Sequence, residues 1–226
     1  MRLPAGLCLL RSGRGRGPVK GWAWAALVLY SGWAGFAFGI RAALQRRRTG
    51  DAGFRGIAGR PGEASWWAGV LFVAALLGGA AAPVAALTGL PTWKFGAALH
   101  GSGLALTLAG MALTTVAQLA MGASWRVGVD AGERTALVTS GVFSHVRNPV
   151  FTAMAVTALG LGLMVPNLIA GAALVALIAA VQLQVRVVEE PYLASVHGDD
   201  YAAYSAGTGR FLPAVGRRAV REEPEA

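Results

Sequence analysis

Four long stretches without a charged residue dominate this sequence. They run from Trp22 to Ile40, from Trp66 to Trp93, from Phe95 to Trp125 and from Val150 to Val185. A transmembrane helix needs about 20 mostly apolar residues, so each stretch is long enough to cross a bilayer. Tryptophan stands at the ends of the first three, as in the aromatic belts of membrane–water interfaces. The sequence therefore predicts a membrane protein.

The fourth stretch is longer than one span requires. Pro166 and Asn167 lie near its middle, and together they favour a turn. We expect two helices here, about 150–165 and 168–188, folded back on each other as a hairpin. The fold class is then an all-α polytopic membrane protein with about five transmembrane helices.

The same pattern divides the chain into three parts. Residues 1–121 form an N-terminal segment with three transmembrane helices. Residues 122–213 contain a polar loop, the hairpin and an amphipathic segment. Residues 214–226 are predicted to be a charged tail.

Composition excludes several other classes. Apolar residues make up 55% of the chain and charged residues 14%, against roughly 25% charged in a soluble domain, so neither a disordered chain nor a soluble enzyme fits. The single cysteine, Cys8, cannot form an internal disulfide. The three histidines (His100, His145 and His197) are too scattered for us to predict a metal centre. Despite a net charge of +9, the aromatic residues lie inside the spans, so we expect no nucleic-acid partner.

The basic residues predict an orientation. Segments 41–65, 122–149 and 186–226 hold fourteen of the twenty lysines and arginines, which favours the cytoplasmic side for all three. Five basic residues before the first span oppose this bias, and we expect that span to be an uncleaved helix because its apolar run exceeds that of a signal peptide. We therefore expect a protein of the bacterial inner membrane whose active site faces the cytoplasm.

A candidate anion site lies before the hairpin. Asn148 is a good helix cap, and Pro149 suits the first helical position. The free N–H groups of this helix start, beside Arg147, would attract a carboxylate or a phosphate. Alternatively, Asn148 and Pro149 merely start a helix, and Arg147 extends to lipid headgroups.

An acidic pair follows the hairpin. Glu189 and Glu190 come directly after the last span, at a helix end where the dipole disfavours acids. Arg186, three residues before Glu189, lies on the same helix face and is able to pair with it. This pair is either a solvated helix end or part of a site, and the hairpin returns it to the membrane side of Arg147.

Five motifs together resemble a known family. They are Leu137-Val-Thr-Ser-Gly-Val-Phe143, Arg147-Asn-Pro-Val-Phe151, Glu189-Glu190, Gly198-x-x-Tyr201-x-x-Tyr204 and Arg210-Phe-Leu-Pro213. Over about residues 124–213 the chain resembles the isoprenylcysteine carboxyl methyltransferases and their phospholipid methyltransferase relatives. This resemblance implies an integral membrane methyltransferase that uses S-adenosylmethionine and binds it at the C-terminal hairpin. By analogy, the cofactor would contact Thr135, Ala136, Leu137, Val138, Phe143, Asn148, Pro149, Val150, Phe151 and Glu189.

This chain departs from the family's pattern at three of those positions. The family often has His where Asn148 stands, and Tyr where Phe143 and Phe151 stand. The two phenylalanines lack the hydroxyl donors of tyrosine, which alters the polar contacts of the site.

The chemistry of the cofactor fits the same residues. Arg147 would bind its carboxylate, and Glu189 its ammonium or ribose hydroxyls. The candidate catalytic residues are Arg147, Glu190 and Arg186. Glu190 or His145 would be the base for an amine acceptor, and Arg147 or Arg186 would orient a carboxylate acceptor.

The acceptor stays open at this point. We expect a lipophilic molecule from the membrane, either a prenylcysteine-like carboxylate, a phospholipid amine or a thiol, and the sequence does not give the oligomeric state. Two other functions stay open as well. They are a membrane reductase that uses NADPH and a non-catalytic membrane scaffold.

Overall fold

The fold was obtained as a computed structural model that describes residues 17–53, 56–57, 59–125 and 136–218. Within those residues it is helical and has no strand. Seven α-helices follow one another: α1 (Gly17–Ala34), α2 (Arg41–Thr49), α3 (Ala64–Thr88), α4 (Ala97–Met121), α5 (Pro149–Met164), α6 (Leu168–Leu183) and α7 (Glu190–Gly207). Two π-helical turns, Gly35–Ile40 and Gln184–Glu189, join α1 to α2 and α6 to α7 without a break.

Five helical rods are apolar enough to lie in a membrane. Four are long enough to cross it: Val19–Thr49, Ala64–Thr88, Ala97–Met121 and Leu168–Gly207. The fifth, α5, has 16 residues and is about 24 Å long. Large apolar side chains such as Leu77 and Leu168 are exposed on the outside, where lipid would surround them. The prediction of an all-α polytopic membrane protein is confirmed.

The predicted hairpin is present, and its turn is fixed to the rest of the bundle. The Asn167 side chain accepts a hydrogen bond from Ala170 N (2.9 Å) and thereby caps α6. Its amide also donates to the Ala82 carbonyl of α3 (2.9 Å). Trp93 N donates to Pro166 O (2.8 Å), so the α3–α4 connection meets this same end of the molecule.

Small residues bring α4 and α5 into close contact. Gly103, Thr107 and Gly110 of α4 are buried against α5, at a spacing that puts them on one helix face. The Thr107 hydroxyl donates to the carbonyl of Gly103 (2.8 Å), and Thr157 of α5 donates to Ala153 (2.9 Å). Each hydroxyl is thereby satisfied within its own helix, as an apolar environment requires.

The first span does not end at Arg41 as expected. Its helix continues to Thr49, and Arg41 is only 3% exposed. The guanidinium donates to the Gln118 carbonyl (3.0 Å) and lies 5.3 Å from the ring centroid of Trp125. Because neighbouring helices supply these contacts, the charge is accommodated inside the protein and the helix does not have to end there.

The last span does not end before the acidic pair. The π-helical turn Gln184–Glu189 leads directly into α7, so Glu189 and Glu190 lie in the middle of one continuous rod. The expectation that they stand at a helix C-terminus is therefore wrong. The helix dipole therefore does not explain where these two glutamates lie, and the explanation has to come from the side chains that contact them.

Candidate functional site

A cavity of about 230 Å³ opens at one end of the bundle, between the hairpin and the helices α3 and α4. One wall comes from the segment 136–151, and another comes from the second π-helical turn and α7. The third wall comes from the first π-helical turn, α3 and α4. Most of the lining is apolar, and charged side chains are concentrated where α5 begins.

Nearly all the predicted cofactor residues line this cavity. They are Ala136, Leu137, Val138, Phe143, Asn148, Pro149, Val150, Phe151 and Glu189. The tenth, Thr135, lies outside the described residues. The hairpin is responsible for this convergence, because it returns Glu189 to the end of the bundle at which α5 starts.

The start of α5 is fixed by a segment sixty residues later in the chain. Arg147 N donates to the Gly209 carbonyl (2.8 Å), and Asn148 N donates to the Arg210 carbonyl (3.1 Å). Thr152 of α5 adds a hydroxyl bond to Phe211 O (2.7 Å). The Arg210-Phe-Leu-Pro213 motif therefore holds the helix start in place.

The sequence predicted that the Asn148 side chain caps α5, and in the structure it does not. Its side-chain amide donates to the Arg210 carbonyl (3.0 Å) and makes no cap hydrogen bond. The predicted cap is wrong because a carbonyl from the distant segment takes the amide as its donor. Pro149 does occupy the first helical position, as expected.

Glu190 is the centre of a buried ionic cluster. Its side chain is 3% exposed and lies 3.2 Å from Arg147 Nη2, 2.6 Å from Arg210 Nε and 3.0 Å from Arg218 Nη2. Arg210 also donates through Nη2 (2.9 Å), so this pair is bidentate. The hydrogen bond to Glu190 raises the pKa of Arg210 above its usual value.

This cluster extends the folded core beyond the boundary predicted at residue 213. Arg218 N donates to the Ser205 carbonyl (3.0 Å), and the Gly216 carbonyl accepts from Arg147 Nη2 (2.7 Å). Residues 214–218 are thus part of the site's support, although the sequence placed them in a charged tail.

Arg147 has two side-chain nitrogen atoms without a hydrogen-bond partner in the described part of the chain. Its side chain is 2% exposed, and Nη2 is engaged by Glu190 and Gly216. Among the described residues, Nε and Nη1 have no hydrogen-bond partner, although both are buried. Arg147 lines the cavity together with Glu189 and Glu190, and Arg210 and Arg218 pair with Glu190, so these three arginines and two glutamates carry a net charge of +1.

Two candidates for catalysis lie outside the cavity lining. Arg186 is exposed, and its Nε donates to Gln182 Oε1 (2.8 Å). His145 is also exposed, and its Nδ1 is near the Ser144 hydroxyl (3.1 Å) and the Gly141 carbonyl. Of the three predicted catalytic residues, the cavity brings together Arg147 and Glu190 and leaves out Arg186.

The third wall of the cavity contains residues that were not among the predicted site residues. Phe38, Phe72, Gln118 and Trp125 all line the cavity. Gln118 had a usable signal, since it is the only glutamine between Phe95 and Trp125, and polar residues inside a span often mark a site. The aromatic residues of this wall had no such signal in the sequence, because aromatic side chains are common in transmembrane proteins.

Comparison with known proteins gives a family match. Residues 98–200 match the family described as phospholipid methyltransferase. This confirms the resemblance drawn from the motifs, and the matched region begins earlier than expected, at the start of α4. No curated protein matches the chain.

Proposed function

We propose that this chain, whose residues 98–200 match the phospholipid methyltransferase family, transfers the methyl group of S-adenosylmethionine to a lipid-type acceptor. Methyltransferase activity on lipid-type substrates is what the family implies. One observation carries the cofactor assignment. Nine of the ten residues that the resemblance assigned to S-adenosylmethionine line one cavity, beside a buried arginine whose Nε and Nη1 have no partner among the described residues.

The polar end of the cavity fits the amino-acid part of the cofactor. The free Nε and Nη1 of Arg147 provide donors for its carboxylate, and unpaired buried donors are costly unless a ligand satisfies them. Glu189 lines the same cavity and supplies a carboxylate for the ammonium or the ribose hydroxyls. Phe143, Phe151 and Leu137 provide apolar surface on which the adenine can pack.

When bound, S-adenosylmethionine supplies a methyl group on a positively charged sulfur. The task of the protein is then to hold donor and acceptor in line and to exclude water. Glu190 is better suited to positioning Arg147 than to taking a proton, since three guanidinium groups surround its carboxylate. Tyr204 of α7 ties its helix to the segment 136–151, because its hydroxyl donates to the Phe143 carbonyl (2.6 Å).

The acceptor would come from the membrane. The apolar lining of the cavity suits a lipophilic molecule such as a prenylcysteine-like carboxylate, a phospholipid amine or a thiol. We place the reaction on the cytoplasmic face of the bacterial inner membrane. The three segments that line this end of the bundle carry most of the basic residues, in line with the positive-inside bias.

Ligand binding tests the assignment against an NADPH-dependent reductase and against a scaffold. Purified protein in phospholipid nanodiscs is heated with S-adenosylhomocysteine or with NADPH. A ligand at 100 times its Kd stabilises a protein by about 2.7 kcal/mol. We expect S-adenosylhomocysteine to raise the Tm and NADPH to leave it unchanged. Stabilisation by NADPH alone would favour the reductase, and stabilisation by neither would favour the scaffold.

The product identifies the acceptor. Membranes that contain the protein are incubated with S-adenosylmethionine carrying a deuterated methyl group, and lipids are analysed by mass spectrometry. We expect a labelled lipid that is missing from membranes with an Arg147→Gln variant. Label on water-soluble molecules only would contradict a lipid-type acceptor.

A further inference from the structure

Gln118 is a buried polar side chain on the cavity wall that the proposed cofactor site does not use. It is 3% exposed and belongs to α4, which packs against α5 and lines the cavity together with the segment 136–151. Its Oε1 is buried and has no hydrogen-bond partner among the residues that the structure describes. A buried acceptor without a donor is costly, so this atom requires a partner.

The orientation of the Gln118 amide is set by its other contact. Nε2 donates to the Ala37 carbonyl (3.2 Å), which lies in the π-helical turn Gly35–Ile40. Turning the amide over would place two carbonyl oxygens against each other, so Nε2 has to face Ala37 and Oε1 has to face away from it. The side chain therefore presents an acceptor and not a donor.

Arg41 holds the backbone at this position. Its Nη2 donates to the carbonyl of Gln118 itself, and its guanidinium lies over Trp125, which also lines the cavity. Both sides of Gln118 are thus anchored, one through Ala37 and one through Arg41. Such a side chain is pre-organised for its partner and loses little entropy when it binds one.

We propose that Gln118 determines acceptor specificity by accepting, through Oε1, a hydrogen bond from an N–H or O–H group on the head of the methyl acceptor. This inference rests on the proposed methyltransferase function. None of the residues assigned to the cofactor lies on α4, so Gln118 is available to the second reactant. A head group without a donor, such as a quaternary ammonium or an ionised carboxylate, leaves Oε1 unpaired and is disfavoured.

A pair of probes with equal charge tests this contact. Dodecylammonium carries N–H donors, and dodecyltrimethylammonium has the same chain and charge but none, so the field of Arg41 acts on both. Binding of each is measured to protein in phosphatidylcholine nanodiscs saturated with S-adenosylhomocysteine. We expect the wild type to prefer dodecylammonium by roughly tenfold, as one hydrogen bond to a buried group allows, and Gln118→Leu to lose that preference.

One further variant completes the design. Gln182→Leu makes the same change in a side chain that does not line the cavity, and we expect it to keep the preference. Equal binding of both probes by the wild type, binding of neither, or a preference that survives in Gln118→Leu would overturn the proposal; equal binding would indicate that a water molecule satisfies Oε1.

The cofactor assay separates this proposal from the proposed function. We expect Gln118→Leu to bind S-adenosylhomocysteine as tightly as the wild type, which also shows that the variant is folded. A loss of that binding in Gln118→Leu would mean that Oε1 contacts the cofactor, and the acceptor role would be rejected. Failure of the wild type to bind S-adenosylhomocysteine would instead refute the proposed function.

Discussion

At the scale of single residues, the site depends on an unequal ionic cluster. Buried Glu190 pairs with three arginines, of which Arg147 is buried and Arg218 is exposed. Arg210 and Arg218 donate to the Glu190 carboxylate, and Nε and Nη1 of Arg147 have no partner among the described residues. A negatively charged ligand would complete this network without further rearrangement.

Changing Arg147 tests that role. We expect Arg147→Gln to weaken the binding of S-adenosylhomocysteine by roughly ten- to a hundredfold, because a charge-assisted hydrogen bond contributes about 1.5–3 kcal/mol. Isothermal titration calorimetry measures the change. Arg147→Lys keeps the charge beside Glu190 but loses the planar guanidinium. Its affinity for S-adenosylhomocysteine should lie between those of the wild type and Arg147→Gln.

Arg217→Gln is the matched control for this prediction. Arg217 is exposed and close in sequence to the cluster, and its replacement should leave the affinity unchanged. If Arg147→Gln binds as tightly as the wild type while its thermal unfolding is also unchanged, Arg147 has no role in cofactor binding.

Asn148 shows where residue-level prediction reached its limit. Local sequence correctly placed Pro149 at the first helical position, since that preference depends only on its own backbone. The side chain of Asn148 found a partner at Arg210, which is sixty residues away in sequence. A capping rule considers the next three residues and therefore cannot anticipate a competing distant carbonyl.

At the scale of elements, α7 changes direction at Gly198. This residue has φ 49° and ψ −122°, a backbone conformation that side chains other than glycine strongly disfavour. The kink lies between Glu190 and Tyr201, both of which line the cavity. The angle of α7 therefore decides whether its two halves reach the site together.

We expect Gly198→Ala to destabilise the protein by about 1–3 kcal/mol through backbone strain and to weaken S-adenosylhomocysteine binding. A new Cβ would meet no atom within 4 Å, so a steric clash is not the cause. Gly207→Ala, at a helical position of α7 with equal space, is the control and should be neutral. Thermal unfolding in nanodiscs measures both variants, and equal Tm values would contradict the role of the kink.

The contact between α4 and α5 makes a second prediction for elements. A Cβ at Gly160 would lie 2.5 Å from the backbone nitrogen of Thr107, which is closer than packed atoms allow. We expect Gly160→Ala to separate the helices and to cost about 1–3 kcal/mol, as overpacking typically does.

Gly162 is the control in the same helix. A Cβ there would come no closer than 3.9 Å to Ala170, so Gly162→Ala should be neutral or slightly stabilising. A Gly160→Ala variant with the same Tm as Gly162→Ala would show that the interface is looser than described.

At the scale of the whole molecule, hydropathy predicted the spans and the hairpin. The uncharged runs and the Pro–Asn turn are local features of the sequence, and the structure has the helices and the turn that they predicted. The continuation of helices through Arg41 and Glu190 could not be predicted in this way. A charge normally indicates the end of a span. Here a carbonyl and an aromatic ring accommodate Arg41, and Arg210 and Arg218 pair with Glu190.

The orientation in the membrane follows from the same arrangement and remains a prediction. Ser144 lies at the cavity end and is exposed, and Leu90 is exposed at the end where α3 meets the hairpin turn. If the basic loops are cytoplasmic, a cysteine at Leu90 should react with a membrane-impermeant maleimide in intact spheroplasts. A cysteine at Ser144 should react only after the membrane is opened.

Both variants, Leu90→Cys and Ser144→Cys, are made with Cys8 replaced by serine, so that each protein has one thiol. Labelling in inverted vesicles should give the reverse pattern, which controls for differences in reactivity between the two sites. A Ser144→Cys protein that is labelled from outside would place the cavity on the periplasmic side. S-Adenosylmethionine is made in the cytoplasm and would then have no direct access, so the proposed reaction depends on this outcome.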